Sequence, residues 1–141
     1  MGESLVAIAV NRDGEGAALQ GLDSSIRLLD RTNGTVLKTY KGHLCDRYPT
    51  RCTFSPDESQ IVTGSQDGVV RFYDLLTGKV VRAVNTWEAI RPSSEEVQGT
   101  MRAGRPVHYG PVVSVATHDR NSALLTASHG GSIALWQPRD G

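Results

Sequence analysis

Short apolar runs alternate with turn-forming residues along the chain. The first run, Leu5–Val10, is nearly continuous and is typical of a strand buried on both faces. Asn11-Arg12-Asp13-Gly14 has the composition of a turn, and Asn33-Gly34 is a favoured two-residue hairpin turn. Between and beside these turns the pattern predicts strands over 17–21, 25–30 and 35–40.

The same order of strands and turns recurs twice more. The second block predicts strands over 50–54, 60–65, 69–74 and 80–85, and the third over 112–117, 123–128 and 132–137. Each block contains one closely similar stretch, namely Gly21–Asp30, Ser65–Asp74 and Ser128–Gln137. Successive copies are offset by 44 and 63 residues, so a unit of about 40 residues repeats with an insertion in the second interval. A repeat of this length built from short strands predicts a propeller-type array, which favours a binding platform over an enzyme.

One irregular segment, 86–106, separates the second and third blocks. Ser93 and Glu96 fit a capping box, which predicts a surface loop with about two turns of helix. Because the Ser93-Ser94-Glu95-Glu96 run is acidic, the segment could dock a partner or be phosphorylated. The alternative is an insertion without a role.

Composition limits the function further. The 141 residues include 15 Lys plus Arg and 15 Asp plus Glu, so the formal net charge is zero, and no basic run is present that would bind nucleic acid or a membrane surface. The sequence has no long apolar run and does not open with a signal peptide. Two cysteines, Cys45 and Cys52, make a poor disulfide framework. We therefore expect a cytoplasmic protein with reduced thiols.

Three short motifs resemble the signature of a known family. Gly42-His43, Asp67 and Tyr73-Asp74 are similar to the Gly-His, Asp and Trp-Asp motifs of WD-repeat β-propellers. The resemblance implies an all-β fold: a partial WD-repeat β-propeller of three four-stranded blades, the last blade lacking its outer strand. The blades would span 1–40, 41–85 and 107–137, with 86–106 as an insertion loop.

The family also implies a structural tetrad of His43, Ser65, Asp67 and Tyr73. His43 would donate to the Asp67 carboxylate and accept from the Ser65 hydroxyl, which would reach Tyr73, where the family usually has Trp. The third block keeps Ser128 and Trp136 for this network but lacks the turn Asp. The alternative interpretation of His43, Ser65 and Asp67 is a hydrolase triad, but no nucleophile elbow or oxyanion hole accompanies them.

We expect no catalytic, cofactor or metal site, since His43, Cys45 and Cys52 do not have zinc-ligand spacing. The candidate functional residues are instead loop residues that precede the inner strands, where propellers of this family usually contact partners. These residues are Asp46, Arg47, Tyr48, His108 and Tyr109. The alternative is that they form ordinary solvated loops.

Two stretches, 22–30 and 40–43, resemble WD-repeat scaffolds that gather kinase-cascade components and are associated with pre-mRNA splicing assemblies. This implies protein partners, no nucleic acid or membrane contact, and a nuclear as well as a cytoplasmic location. The alternative within the family is a chromatin-associated subunit of a histone methyltransferase complex, which is similar over 37–43.

Closed propellers typically have about 4–8 blades. A three-blade chain therefore leaves three possibilities open: a shortened propeller, a partial propeller completed by another chain, or an arc that assembles with copies of itself.

Overall fold

The computed structural model describes residues 4–86, 96–99, 110–118 and 123–137. Within these ranges the strands form three antiparallel sheets of four strands each, which confirms the all-β fold and is consistent with partial WD-repeat propeller blades. The first sheet contains β1 (Leu5–Val10), β2 (Gly16–Gly21), β3 (Ser25–Asp30) and β4 (Val36–Lys41). The second contains β5 (Cys52–Phe54), β6 (Gln60–Thr63), β7 (Val69–Asp74) and β8 (Val80–Asn85). The third contains β9 (Glu96–Gly99), β10 (Val112–Thr117), β11 (Leu124–Ser128) and β12 (Ile133–Gln137).

The third sheet differs from the sequence prediction in one respect. Its outer position is filled by β9, which precedes the other three strands in the chain and pairs with β12, so that Val97 lies opposite Trp136. The prediction that this blade lacks its outer strand was therefore wrong, because it assumed that the outer strand must follow the third strand in sequence.

The predicted helix in the same segment is also corrected. Glu96 lies in a strand, whereas Ser93, the other half of the predicted capping box, falls outside the described residues. The edge of β12 that faces away from β11 presents backbone N–H and C=O groups to which a fourth strand can bond. Pairing with them outweighs a local helix signal of a few residues.

The Asp that ends each of the first two repeats shapes the turn that follows it. The Asp74 carboxylate accepts hydrogen bonds from the backbone N–H groups of Leu76 and Thr77, at 3.0 and 2.9 Å. Asp30 accepts the corresponding bond from Thr32 at 2.9 Å. These contacts fix the hairpins that lead to the outer strands β4 and β8, which explains why Asp recurs at this position of the repeat.

The hydrophobic core consists of two clusters, each formed between neighbouring blades. Blades one and two share a cluster of Ala18, Ile26, Leu28, Tyr40, Cys52, Phe54, Ile61 and Tyr73. Blades two and three share a cluster of Val62, Val70, Phe72, Val112, Val115, Leu124, Ala134 and Trp136. Each sheet therefore buries its apolar residues against the next sheet, as stacked repeats require.

Blades two and three also approach closely through their backbones. The Arg51 N–H donates to the Val113 carbonyl at 3.0 Å, and the Val112 N–H donates to the Ser65 carbonyl at 2.9 Å. A Cβ atom at Gly64 would lie 2.3 Å from the Val112 carbonyl oxygen, which is backbone and cannot move aside easily. Glycine at position 64 is therefore required by this contact.

No helix capable of spanning a membrane occurs within the described ranges.

Candidate protein-interaction surface

The connection between blades one and two, residues 42–51, is held to a turn of each blade. On the side of blade one, the Cys45 N–H donates to Ser24 Oγ at 2.9 Å and the Ser24 N–H donates to the Cys45 carbonyl at 3.1 Å. On the side of blade two, the Leu44 N–H donates to Ser65 Oγ at 2.8 Å and the Gln66 N–H donates to the Leu44 carbonyl at 2.9 Å. We use the name loop platform for this loop (42–51) together with the turn at 22–24, the turn at 64–68 and His129.

Gln66 fixes the exposed tip of the loop platform. Its Oε1 accepts hydrogen bonds from the backbone N–H groups of three successive residues, Asp46, Arg47 and Tyr48, at 2.6, 2.8 and 3.0 Å. Its Nε2 donates to the Asp46 carboxylate at 2.9 Å. The three side chains predicted to face partners therefore project from a backbone that one amide group holds in place.

The loop platform extends to blade three through an aromatic contact. The Tyr48 ring lies 4.8 Å from the His129 ring, measured between centroids, and Tyr48 remains 40% exposed. His129 is exposed in the turn between β11 and β12 and is held by a backbone bond to the Pro111 carbonyl. No sequence motif pairs these two residues, which lie 81 positions apart in the chain. The other two predicted partner-facing residues, His108 and Tyr109, lie outside the described residues.

Beneath the loop platform, His43 and Tyr73 form a buried pair. The Tyr73 hydroxyl accepts a hydrogen bond from the His43 backbone N–H at 3.0 Å and lies 3.0 Å from His43 Nδ1. A hydroxyl that accepts the first bond can donate its own proton to Nδ1, which places the imidazole proton on Nε2. His43 is only 3% exposed, and burial lowers its pKa to about 4, so the ring is neutral.

The predicted bond from His43 to Asp67 is not formed. Nε2 of His43 has no hydrogen-bond partner within the described part of the chain, and Nδ1 faces Tyr73 instead. The carboxylate of Asp67 is bound by both guanidinium nitrogens of Arg71, at 2.7 and 3.1 Å. A guanidinium fork matches both oxygens of a carboxylate, which a single imidazole nitrogen cannot do.

Ser65 also has different partners from those predicted. Its Oγ accepts from the Leu44 N–H and from Arg71 Nη1, the latter at 3.1 Å. Partial burial opposes the ionisation of Asp67, but hydrogen bonds from Arg71 and Ser65 outweigh it, so the pKa of Asp67 lies below its usual range. The four tetrad residues thus lie in one region, but Arg71 is a fifth member that joins Ser65 to Asp67.

The Asp–Arg pair also occurs in blade one. Arg27 Nη2 lies 2.8 Å from Asp23 Oδ2, and the Ser25 hydroxyl donates to Asp23 Oδ1 at 2.7 Å. The repeat alignment places Arg27 opposite Arg71, so the sequence itself carries a signal for this pair. Blade three uses another arrangement, in which Trp136 Nε1 donates to Thr126 Oγ1 at 2.9 Å, and its predicted partner Ser128 instead contacts Ser132.

These contacts give Ser65, His43 and Asp67 structural partners. Ser65 is fully buried, its hydroxyl contacts a backbone amide and an arginine, and Asp67 is neutralised by Arg71. That geometry differs from a serine hydrolase triad, in which the histidine bonds to both the hydroxyl and the carboxylate. Within the described ranges no group of three His, Cys, Asp or Glu residues could hold a metal ion.

Comparison with known proteins shows the same repeat in several WD-repeat proteins. The chain is 33% identical over 137 residues to human WD repeat domain-containing protein 83. The aligned region covers 97% of this chain and 36% of the human protein. It is 27% identical over 142 residues to the protein of the same name from Danio rerio, covering 99% and 38% of the two chains. Similarity to WD repeat-containing protein 82 of Drosophila melanogaster is 37% over 76 residues, covering 53% and 24%.

The chain thus spans 36% of the length of the first of these relatives. The sequence profile of the WD domain, G-beta repeat, matches residues 34–74 and 100–137, which is more than half of the chain. The two matched regions contain the Gly-His pair, the turn Asp and the aromatic residues at positions 73 and 136. This protein therefore belongs to the WD40 repeat family.

Proposed function

We propose that this protein is a non-catalytic scaffold that helps to assemble a mitogen-activated protein kinase cascade. The observation that carries the proposal is the loop platform, which is hydrogen-bonded to two blades and presents Arg47 and Tyr48 in an ordered conformation. An ordered surface loses little conformational entropy when a partner binds, which suits repeated, specific protein contacts. WD repeats in general mediate binding to other proteins, in agreement with this role.

Two stretches support the kinase-cascade assignment. Leu22 to Asp30, followed by Tyr40-Lys41-Gly42-His43, resembles the mitogen-activated protein kinase organizer, a WD-repeat scaffold also associated with pre-mRNA splicing assemblies. The similarity to WD repeat domain-containing protein 83 extends along nearly the whole chain. We propose a cytoplasmic location for the kinase role and a nuclear one for any splicing role.

The test is affinity purification of the tagged chain, followed by quantitative mass spectrometry. The wild type is compared with Tyr48→Ala in the loop platform. The control, Leu76→Ala, removes another exposed side chain, one that is 85% exposed in the turn between β7 and β8. We expect kinase-cascade proteins with the wild type and with Leu76→Ala, and a loss of several-fold with Tyr48→Ala.

Three other results would count against the proposal. Recovery of splicing proteins without kinase-cascade proteins would assign the scaffold to splicing, and recovery of histone methyltransferase subunits would assign it to chromatin. Equal recovery by the two variants would show that partners bind away from the loop platform.

A further inference from the structure

We propose that the loop platform binds an acidic, extended peptide segment of its partner. This inference rests on the proposed function, since it names the chemistry of the partner that the same surface would take. It follows from three properties of the described residues: uncompensated positive charge, an exposed aromatic pair, and a backbone that is already ordered.

The first property is the distribution of charge. The two acidic side chains in the turns of the loop platform are neutralised, because Asp23 pairs with Arg27 and Asp67 pairs with Arg71. Three side chains make no ion pair or hydrogen bond within the described residues, and all three are exposed: Arg47 and Arg51 of the loop, and Lys41, the last residue of β4, which directly precedes it.

Residues 42–51 contain one carboxylate, Asp46, which also accepts a bond from Gln66. The loop therefore carries a positive excess although the whole chain has a formal net charge of zero. Such a local excess attracts carboxylates and raises the rate at which an acidic partner arrives.

The second property is the arrangement of the aromatic pair. Tyr48 and His129 form a ring contact that bridges blades two and three, and both remain exposed. Arg47 precedes Tyr48, and Arg51 follows it by three residues, so the Cα atoms of the two arginines are at most about 14 Å apart along the chain. A peptide that places an apolar or aromatic side chain on Tyr48 can thus reach both guanidinium groups with neighbouring carboxylates.

The third property is the fixed backbone. Because Gln66 holds the N–H groups of three successive residues, the cationic and aromatic side chains project from a preformed loop. Preformed loops bind flexible peptides with a smaller entropic cost.

A peptide suits this surface better than a nucleic acid does. Nucleic-acid sites commonly make about 6–10 phosphate contacts. The described part of the loop platform offers two exposed cations without an ion partner, Arg47 and Arg51, with Lys41 adjoining it and the Asp46 carboxylate between them and Lys41.

The test uses the full chain and three fluorescein-labelled probes in fluorescence anisotropy. The probes are a peptide of alternating Glu and Tyr, a peptide of alternating Lys and Tyr, and oligothymidine. We expect measurable binding of the Glu-Tyr peptide only. The binding should weaken as sodium chloride rises from about 50 mM to about 500 mM, because salt screens surface charges.

Charge-reversal variants provide the matched control. Arg47→Glu and Arg51→Glu should each weaken binding roughly fivefold or more, since each replaces an attraction by a repulsion. Lys79→Glu makes an equal change of charge at an exposed residue in the turn between β7 and β8, and should change binding less than twofold. Circular dichroism spectra confirm that each variant is folded.

Several outcomes would overturn the inference. These are no binding of the Glu-Tyr peptide, stronger binding of oligothymidine, or equal weakening by Lys79→Glu and the two arginine variants. If any of these occurs while Tyr48→Ala still lowers recovery of kinase-cascade proteins several-fold, the scaffold proposal stands and only the acidic chemistry is wrong.

Discussion

Replacing Tyr73 by Phe removes a single oxygen atom from the buried pair beneath the loop platform. The hydroxyl serves two groups of His43, the backbone N–H and Nδ1, each at 3.0 Å. Phe has nearly the same shape, so packing within the core between blades one and two is preserved. The variant therefore measures the two polar contacts with little contribution from cavity formation.

The expected destabilisation follows from the burial of the groups left behind. Leaving one buried polar group unsatisfied costs about 1–3 kcal/mol, and here two groups of a residue that is 3% exposed lose their partner. We therefore expect Tyr73→Phe to lower the free energy of unfolding by about 2–4 kcal/mol. Nε2 of His43 already lacks a partner within the described residues, so the ring has no other described contact to compensate.

Tyr40→Phe is the matched control. Tyr40 is as fully buried as Tyr73 and lies in the same core, but its hydroxyl makes one bond, to the carbonyl of Leu75 at 2.6 Å. Leu75 is only partly buried, so water can replace the lost donor. We expect a loss of about 1 kcal/mol for this variant.

The assay is urea unfolding followed by circular dichroism, with the free energy obtained by linear extrapolation. The slopes of the wild type and both variants must agree for the comparison to hold. A loss below about 0.5 kcal/mol for Tyr73→Phe, or an equal or larger loss for Tyr40→Phe, would refute the assignment of two bonds to the Tyr73 hydroxyl.

The remaining predictions concern Gly64, His43 and Cys52. Gly64→Ala should destabilise the chain by about 1–3 kcal/mol in the same urea assay, because its Cβ would meet the Val112 carbonyl; a neutral effect would contradict the close approach of blades two and three. His43 has a folded pKa of about 4 and an ordinary unfolded value near 6.5, so the unfolded state binds more protons between these values. The stabilisation from neutral His43 should therefore be fully present above about pH 6.5, and the free energy of unfolding should fall by at most about 3 kcal/mol as the pH drops to about 4. His43→Gln should make the free energy of unfolding less dependent on pH in this range. An unchanged pH dependence in that variant would assign it to other groups. Burial raises the pKa of Cys52 to about 12, so its thiol should react with iodoacetamide at pH 8 only when urea unfolds the chain; rapid labelling of the native protein, measured by mass spectrometry, would show that the core is open.

Most of the strands could be predicted because their signals are local. β3 and β8 have the bounds that the alternation of apolar residues and the flanking turns predicted, and Asp-Gly and Asn-Gly turns separate neighbouring strands. β9 could not be predicted in this way. Its sequence, Glu-Val-Gln-Gly, has little strand propensity, and its place is decided by pairing with β12, which lies more than 30 residues later in the chain.

The site was predicted less completely because its contacts depend on geometry between blades. The motif located His43, Ser65, Asp67 and Tyr73 in one region, but the residue types allowed several bonding patterns. Arg71 and His43 could each bond to the Asp67 carboxylate. Which of them does so depends on three-dimensional distances, and these cannot be read from the spacing of residues along the sequence. Gln66 carries no sequence signal at all, since a glutamine beside a turn is ordinary.

The most direct test of the central claim is amide hydrogen exchange of the chain, free and bound to a kinase-cascade protein recovered by affinity purification. The account predicts that binding adds protection in the loop platform, in peptides that cover 42–51, 64–68 and 129, and leaves the outer strands β4 and β8 unchanged. New protection confined to β4 and β8, with no change in the loop platform, would show that the partner binds the rim of the blades and would contradict the account.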